Sequence, residues 1–277
     1  WLYHCHRYLS NNRPDYTRHF IMFISSDPFI WVRDEVFCPE FCDDVINRFR
    51  EDDSKMDGVC GLDRSVKPEM KRSVDLMISG KEGWEDIDTT FHQNLMQSCI
   101  EYKADISQHF QLKNLPTHPD EWAGWTPLDG HIEDSGYQLQ ETKPGGFYDW
   151  HDDSAVEIAG GLLRERSLTY LWYLNDIEDG GETEFFNGIR IQPRAGRLLL
   201  FPALWNYMHR GRPLGTKSPV NKYISTGWIY RTQEIDTNPE PQQEEDDGLD
   251  YTPPPSMDTE GEPFTLKDKD LQHDHTH

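Results

Sequence analysis

The second half of the chain consists of many short apolar segments separated by turn residues. Runs rich in β-branched and aromatic residues recur after Asp134, and glycine, proline, asparagine and aspartate interrupt them. The runs cover residues 137–140, 147–150, 168–174, 182–185, 190–192, 197–201 and 222–230. Short strands at this spacing are typical of antiparallel β-sandwiches and jelly rolls.

Before Asp134 the pattern of apolar residues is helical. Apolar side chains recur every three or four residues over 40–52 and 89–110, which predicts two helices. Two short strands are expected at 29–32 and 73–79. The sequence therefore predicts an α+β fold in which N-terminal helices flank an antiparallel sandwich or jelly roll.

Composition divides the 277 residues into three regions. Residues 1–27 show no clear period and are left unassigned, whereas residues 28–232 are predicted to form one folded domain. Residues 233–277 contain fourteen acidic residues and two lysines. Such a segment buries too little apolar area to offset the entropy of the chain, so we expect a disordered acidic tail.

The charge of the chain excludes several classes of partner. The formal net charge is −23 and the isoelectric point is near 4.8. Phosphate backbones and anionic membrane surfaces repel so acidic a chain, so neither nucleic acid nor a membrane is an expected partner. Five scattered cysteines are too few for a disulfide framework, and the first ten residues lack a secretory signal. We therefore expect reduced cysteines and a cytoplasmic location.

The motif with the clearest chemical content is His151-Asp152-Asp153, at the end of a predicted strand. Side chains two apart on a strand point to the same face, which places the imidazole beside the carboxylate of Asp153. These are two of the three ligands of the facial triad that binds non-haem Fe(II). His209 is the only histidine between this motif and the tail, so it is the candidate third ligand. An isolated His-x-Asp is also common by chance, and its aspartates could be turn residues.

Six sequence blocks give this motif a context. They are Tyr148-x-x-His151-x-Asp153, Arg166 to Asn175, Gly180-Gly181-Glu-Thr183-Glu-Phe185, Pro193 to Phe201, His209-Arg-Gly-Arg-Pro213 and Lys222-Tyr-Ile-Ser-Thr-Gly-Trp228. In order and spacing they resemble the prolyl 4-hydroxylase-like 2-oxoglutarate/Fe(II) dioxygenases. The resemblance is close over 138–230 and loose over 29–79.

The resemblance implies a fold and a set of cofactors. The fold is a double-stranded β-helix (jelly roll) barrel, and the cofactors are Fe(II), 2-oxoglutarate and O2, with ascorbate as a reductant. His151, Asp153 and His209 would hold the metal and form the catalytic centre. Because both imidazoles must be neutral to bind a metal, activity is expected to fall on acidification.

The far carboxylate of 2-oxoglutarate requires a cation, which relatives place on the strand after the second histidine. Lys222 opens that strand and is favoured over Lys217, which lies in a loop rich in glycine and proline. Tyr173 occupies the position of a family tyrosine that donates to the same carboxylate, and Thr183 could contribute a second hydroxyl.

Two further aromatic residues are candidates for the cosubstrate pocket. Tyr148 stands three residues before His151, so it either faces the other side of the strand or shares the same side through a bulge. Trp228 would face the barrel interior near the cosubstrate, although a plain core tryptophan fits its position equally well.

The activity that the resemblance implies is hydroxylation of a prolyl residue in a peptide or protein, with succinate and CO2 as co-products. One departure concerns Lys143, which stands where many relatives carry a tyrosine, so either Gln138 or Gln140 substitutes for it or the substrate pocket differs. The alternative is the same cofactor chemistry on a free amino acid or another small molecule. A catalytically inactive jelly-roll module that binds a partner is a more distant alternative.

Overall fold

The computed structural model describes residues 26–61, 64–112 and 131–234. Almost all of the unassigned N-terminal segment and the acidic tail beyond Glu234 lie outside these residues. The predictions for those two regions therefore remain predictions.

Two helices form in the N-terminal half, as the apolar periodicity predicts. Helix α1 spans Pro39–Glu51 and helix α2 spans Glu85–Leu112, so α2 begins four residues earlier than predicted. Their apolar stripes are buried and consist of Cys42, Val45, Ile46 and Phe49 in α1 and Phe91, Leu95, Cys99, Tyr102 and Ile106 in α2. Among the described residues, neither helix combines the length and apolar character that crossing a membrane requires.

Nine strands form a large antiparallel sheet. They are β1 (Trp31–Arg33), β2 (Met56–Asp57), β3 (Val74–Met77), β4 (His131–Asp134), β5 (Gln138–Thr142), β7 (Val156–Ala159), β8 (Leu162–Tyr173), β11 (Arg197–Pro202) and β13 (Lys222–Glu234). The spatial order is β1-β11-β8-β13-β5-β3-β2, and β4 and β7 pair with β13 and β8 respectively. The long strands β8 and β13 are the centre of the sheet.

Four short strands form a second antiparallel sheet. They are β6 (Tyr148–His151), β9 (Thr183–Phe185), β10 (Arg190–Ile191) and β12 (His209–Gly211), in the order β10-β9-β12-β6. One 3-10 turn, Trp205–Tyr207, precedes β12.

The two faces of the large sheet are covered differently. One face packs on both helices and buries a large core that includes Phe91, Tyr102 and Trp172. The other face packs on the small sheet through a separate cluster, to which β8 contributes Tyr173 and β9 contributes Phe185. The predicted α+β arrangement of N-terminal helices and jelly-roll-type antiparallel sheets is confirmed.

The closed barrel that the resemblance implies is not seen in the part of the chain that the structure describes. The strand ladders form two separate sheets, and the strands of the small sheet are only two to four residues long. The fold here is two facing sheets.

The sequence analysis did not predict four of the strands, namely β2, β4, β7 and β12. The hairpin β7–β8 shows the reason for one of them. Gly160 and Gly161 both have positive φ, of 60° and 79°, and join Ala159 to its partner Leu162. A two-residue turn with both residues in this region matches the twist of a hairpin and strongly favours glycine. The polar composition of the adjoining part of β8 hid the extension of the strand.

The described cysteines are Cys38, Cys42, Cys60 and Cys99, and all four are free thiols. Burial raises the pKa of both Cys42 and Cys99 to about 12. Such thiols remain protonated at neutral pH and are poor nucleophiles.

Candidate metal and cosubstrate site

Two neighbouring strands of the small sheet bring the predicted histidines together. His151 is the last residue of β6 and His209 is the first residue of β12, and the two are direct partners in the antiparallel ladder. Asp153 follows two residues after His151. The three side chains are the only group of possible metal ligands found among the described residues, with ligand atoms within 4.8 Å of one another.

Backbone hydrogen bonds orient both imidazoles. The Nδ1 atoms of His151 and His209 lie 2.7 Å and 3.0 Å from the carbonyl oxygens of Asp149 and Tyr207. Since a carbonyl only accepts, each Nδ1 carries the proton and each Nε2 is left with its lone pair. The Nε2 atoms lie 3.8 Å and 3.6 Å from the carboxylate oxygens of Asp153, which is too far for hydrogen bonds.

Burial and neighbouring charges set the protonation of His151 and Asp153. Burial, together with the nearby charge of His209, lowers the pKa of His151 to about 4. Burial opposes ionisation of Asp153, but the two imidazoles and the Thr169 hydroxyl outweigh it, so the pKa of this carboxyl lies below its ordinary value. Two imidazoles whose Nε2 atoms keep their lone pairs and one carboxylate are a donor set that fits a divalent first-row metal such as Fe(II).

Residues of β8 hold Asp153 in place. The Thr169 hydroxyl donates to the Asp153 carboxylate at 2.8 Å, and the Arg166 guanidinium donates to the Asp153 carbonyl at 3.3 Å. Thr169 is buried. Sequence analysis assigned no role to Thr169. The two-residue period of a strand could have identified it, because it places Thr169 on the same face as Tyr173, a predicted site residue.

Replacing Thr169 with valine removes this donor and keeps the shape of the side chain. We expect the affinity of the protein for Mn(II) to fall about tenfold, because groups that orient metal ligands contribute on this scale. Isothermal titration calorimetry measures the effect. The control is Thr226→Val, since the Thr226 hydroxyl donates to the Tyr170 carbonyl at 2.9 Å instead. Equal Mn(II) affinities of Thr169→Val and the wild type would contradict this role.

Tyr148 lies on the same side of β6 as His151. Their rings stack with centroids 3.6 Å apart and an interplanar angle of 16°. The ladder between β6 and β12 explains this, because His209 pairs with His151 whereas Gly211 pairs with Tyr148. Asp149 and Trp150 of β6 thus oppose the single residue Arg210 of β12, which is a β-bulge. Of the two predicted orientations, the structure shows the one that requires a bulge.

Lys222, Tyr173 and Thr183 meet in the interior between the two sheets. All three are buried, and the Lys222 ammonium lies 5.9 Å from the centre of the Tyr173 ring. It donates to the Gly181 carbonyl at 2.7 Å, and the Tyr173 hydroxyl donates to Thr183 at 2.6 Å. Burial lowers the pKa of Lys222 to about 8. The competing candidate, Lys217, is exposed.

Trp228, the remaining aromatic candidate, lies away from Lys222. Trp228 lies six residues along β13 from Lys222, roughly 20 Å along the strand, and pairs with Thr169. The Arg166 guanidinium covers its ring at 3.5 Å. The structure therefore places Trp228 nearer to Asp153 than to Lys222.

The glutamines that could substitute for the missing tyrosine face the interior. Gln138 and Gln140 of β5 pair across the ladder with Thr226 and Ile224 of β13, and cross-strand partners share a face. They also hydrogen-bond to each other at 2.7 Å. Lys143 is exposed.

Comparison with known families identifies this geometry. Residues 137–230 match the model of the 2OG-Fe(II) oxygenase superfamily. These residues therefore form a 2OG-Fe(II) oxygenase domain. Its class uses Fe(II), 2-oxoglutarate and O2, and the matched segment contains the whole predicted His-Asp-His group. No curated protein sequence matches this chain significantly.

Solved structures show a similar fold. A prolyl hydroxylase of Trichoplax adhaerens, in complex with a hypoxia inducible factor peptide fragment, aligns with a TM-score of 0.52 at 15% identity, over 73% of this chain and 84% of that chain. The collagen prolyl hydroxylase of Paramecium Bursaria Chlorella virus-1 aligns at 19% identity and 0.49, over 74% and 97%. A Pseudomonas putida prolyl-4-hydroxylase aligns at 18% identity and 0.48, over 73% and 93%.

Proposed function

We propose that the dioxygenase hydroxylates a prolyl residue in a peptide or protein and releases succinate and CO2. The observation that carries the reaction type is the convergence of two imidazoles and one carboxylate, whose ligand atoms lie within 4.8 Å of one another. The prolyl substrate is supported by the six sequence blocks and by the fold that the dioxygenase shares with the Trichoplax prolyl hydroxylase, whose structure contains a peptide.

In this proposal His151, Asp153 and His209 hold the ferrous ion. Bound Fe(II) supplies the activation of O2 that couples decarboxylation of 2-oxoglutarate to oxidation of the substrate. The protein supplies two neutral imidazoles, fixed by their Nδ1–H hydrogen bonds, and a carboxylate fixed by Thr169. Three protein ligands leave further positions for cosubstrate and oxygen.

Lys222 binds the far carboxylate of 2-oxoglutarate in this proposal. Its ammonium is enclosed between the sheets, and the Tyr173 and Thr183 hydroxyls provide additional donors nearby. A charge-assisted hydrogen bond in such a site contributes roughly 1.5–3 kcal/mol. Burial of all three side chains excludes water from this end of the site. Ascorbate completes the proposal as the reductant that keeps iron ferrous.

The test measures succinate release with Fe(II), 2-oxoglutarate and ascorbate, against an array of proline-containing peptides and a panel of amino acids and metabolites. We expect turnover with some peptides, gain of one oxygen atom by mass spectrometry, and loss of both when the proline is replaced by alanine. Products only from the metabolite panel would show a small-molecule substrate. Metal binding without any 2-oxoglutarate turnover would instead show a binding module.

A further inference from the structure

The segment 70–72 extends the small sheet beside β6. The Asp149 amide donates to the Met70 carbonyl at 2.7 Å, and the Arg72 amide donates to the Phe147 carbonyl at 2.8 Å. Between these two bonds, Lys71 is the direct antiparallel partner of Tyr148. A residue 80 positions before His151 in the sequence is thus fixed next to the strand that carries this histidine.

Lys71 is one of only two buried lysines in the described part of the chain, the other being Lys222. Its ammonium lies 2.7 Å from the Asp75 carboxylate, which is also buried, and the Ser73 hydroxyl donates to the second oxygen of Asp75 at 2.7 Å. Burying an ion pair is costly, and replacing such a pair by apolar residues is often neutral or stabilising. Stability alone therefore gives no reason for a lysine here.

Lys71 contacts the aromatic ring that stacks on His151. Its ammonium lies 5.3 Å from the centre of the Tyr148 ring, within the range of a cation–π interaction. The Tyr148 ring in turn stacks on the His151 ring, with centroids 3.6 Å apart. Asp75, Lys71, Tyr148 and His151 thus form a continuous series of contacts.

The hydrogen bond from Nδ1 to the Asp149 carbonyl anchors one atom of the His151 ring. The stacked phenol ring restricts rotation of the imidazole about that bond and so directs Nε2. We infer that Lys71, held by Asp75, is a positioning residue that orients His151 for metal binding through the ring of Tyr148. This inference rests on the proposed metal-binding role of His151.

The positioning role of Lys71 and its charge predict opposite changes in metal affinity when Lys71 is replaced. Lys71 is a cation near a site for a dication, so removing its charge would by itself raise metal affinity. Removing an indirect contact that orients a ligand lowers affinity instead, by up to about tenfold. The direction of the change therefore separates the two effects.

The experiment is a double-mutant cycle on the full chain, with Mn(II) affinity measured by calorimetry in the absence of 2-oxoglutarate. The variant Lys71→Met/Asp75→Asn removes the cation without leaving a buried carboxylate unpaired. We expect three- to tenfold weaker Mn(II) binding, and recovery to within about twofold in Lys71→Arg, which keeps the cation and its partner. In a Tyr148→Leu background, the double substitution should have no further effect.

The matched control is Lys81→Met/Asp52→Asn, which removes a different, partly exposed lysine–aspartate pair 3.4 Å apart. It should leave Mn(II) affinity unchanged. If Lys71→Met/Asp75→Asn lacks the wild-type circular dichroism spectrum, Lys71→Gln/Asp75→Asn replaces it, because this pair keeps a neutral hydrogen bond.

Unchanged or stronger Mn(II) binding would overturn the inference. An equal loss of affinity in the wild-type and Tyr148→Leu backgrounds would also overturn it, since the effect would then not pass through Tyr148. Failure of the wild type itself to bind Mn(II) would overturn the proposed function and the inference with it, so the two failures are distinguishable.

Discussion

Replacing Asp153 with alanine is expected to abolish 2-oxoglutarate turnover and to weaken Mn(II) and Fe(II) binding by more than about 100-fold. Asp153 contributes the only carboxylate of the three-residue group, and its loss leaves two neutral imidazoles facing a dication. Removing a group that merely orients a ligand costs 10–100-fold in affinity, and removal of a ligand costs at least as much. Calorimetry with the metal and a succinate-release assay measure the two effects.

The adjacent Asp152 provides a matched control. It is exposed, and its carboxylate accepts the backbone N–H of Ser154 at 3.0 Å without contacting either histidine. Asp152→Ala should retain metal affinity within about twofold. Wild-type metal binding by Asp153→Ala, or loss of binding by Asp152→Ala, would show that the three residues are not the metal site.

Replacing Lys222 with methionine is expected to reduce 2-oxoglutarate affinity by about 10- to 150-fold. This range corresponds to the roughly 1.5–3 kcal/mol of a charge-assisted hydrogen bond. Titration of 2-oxoglutarate into the Mn(II)-loaded protein measures it, and Mn(II) affinity itself should be unchanged. The control is Lys217→Met, because Lys217 is the exposed lysine of the neighbouring loop. Loss of 2-oxoglutarate binding in Lys217→Met alone would reverse the assignment.

The substitution Lys222→Met should also stabilise the folded protein in the absence of 2-oxoglutarate. Burial lowers the pKa of Lys222 to about 8, against an ordinary value near 10.4, so keeping it charged costs about 3 kcal/mol below pH 8. The unpaired Gly181 carbonyl offsets about 1 kcal/mol of the gain. We expect Lys222→Met to raise the free energy of unfolding at pH 7 by about 2 kcal/mol.

The pH dependence of this difference follows from proton linkage. Between pH 8 and about 10.4 the unfolded state binds more protons at Lys222 than the folded state, so wild-type stability gains relative to the variant as pH rises. The advantage of Lys222→Met should therefore disappear over this range in urea unfolding experiments. A pH-independent difference would mean that the burial of charge at Lys222 is not its cause.

The elements that the sequence predicted well are those that depend on local periodicity. The apolar stripe of α2 and the turn residues between strands identify helices and strands without reference to the rest of the chain. The short strand β12 was missed because its residues, His209–Gly211, include none of the β-branched or aromatic residues that marked the other short strands. Its position depends on pairing with β6 and β9, which are distant in sequence.

The same division applies to the candidate site. From the sequence alone, the two-residue period of a strand predicts that His151 lies beside Asp153, and the ordered blocks around them indicate the family. In the structure β6 ends at His151, and contacts with β8 hold Asp153. The tertiary structure alone decided that His209, 58 residues later, pairs directly with His151, that a bulge brings Tyr148 onto the same side, and that Lys71 lies against Tyr148. The physical reason is that backbone geometry sets the direction of neighbouring side chains within a strand, whereas the partners of a strand are selected by packing of the whole domain.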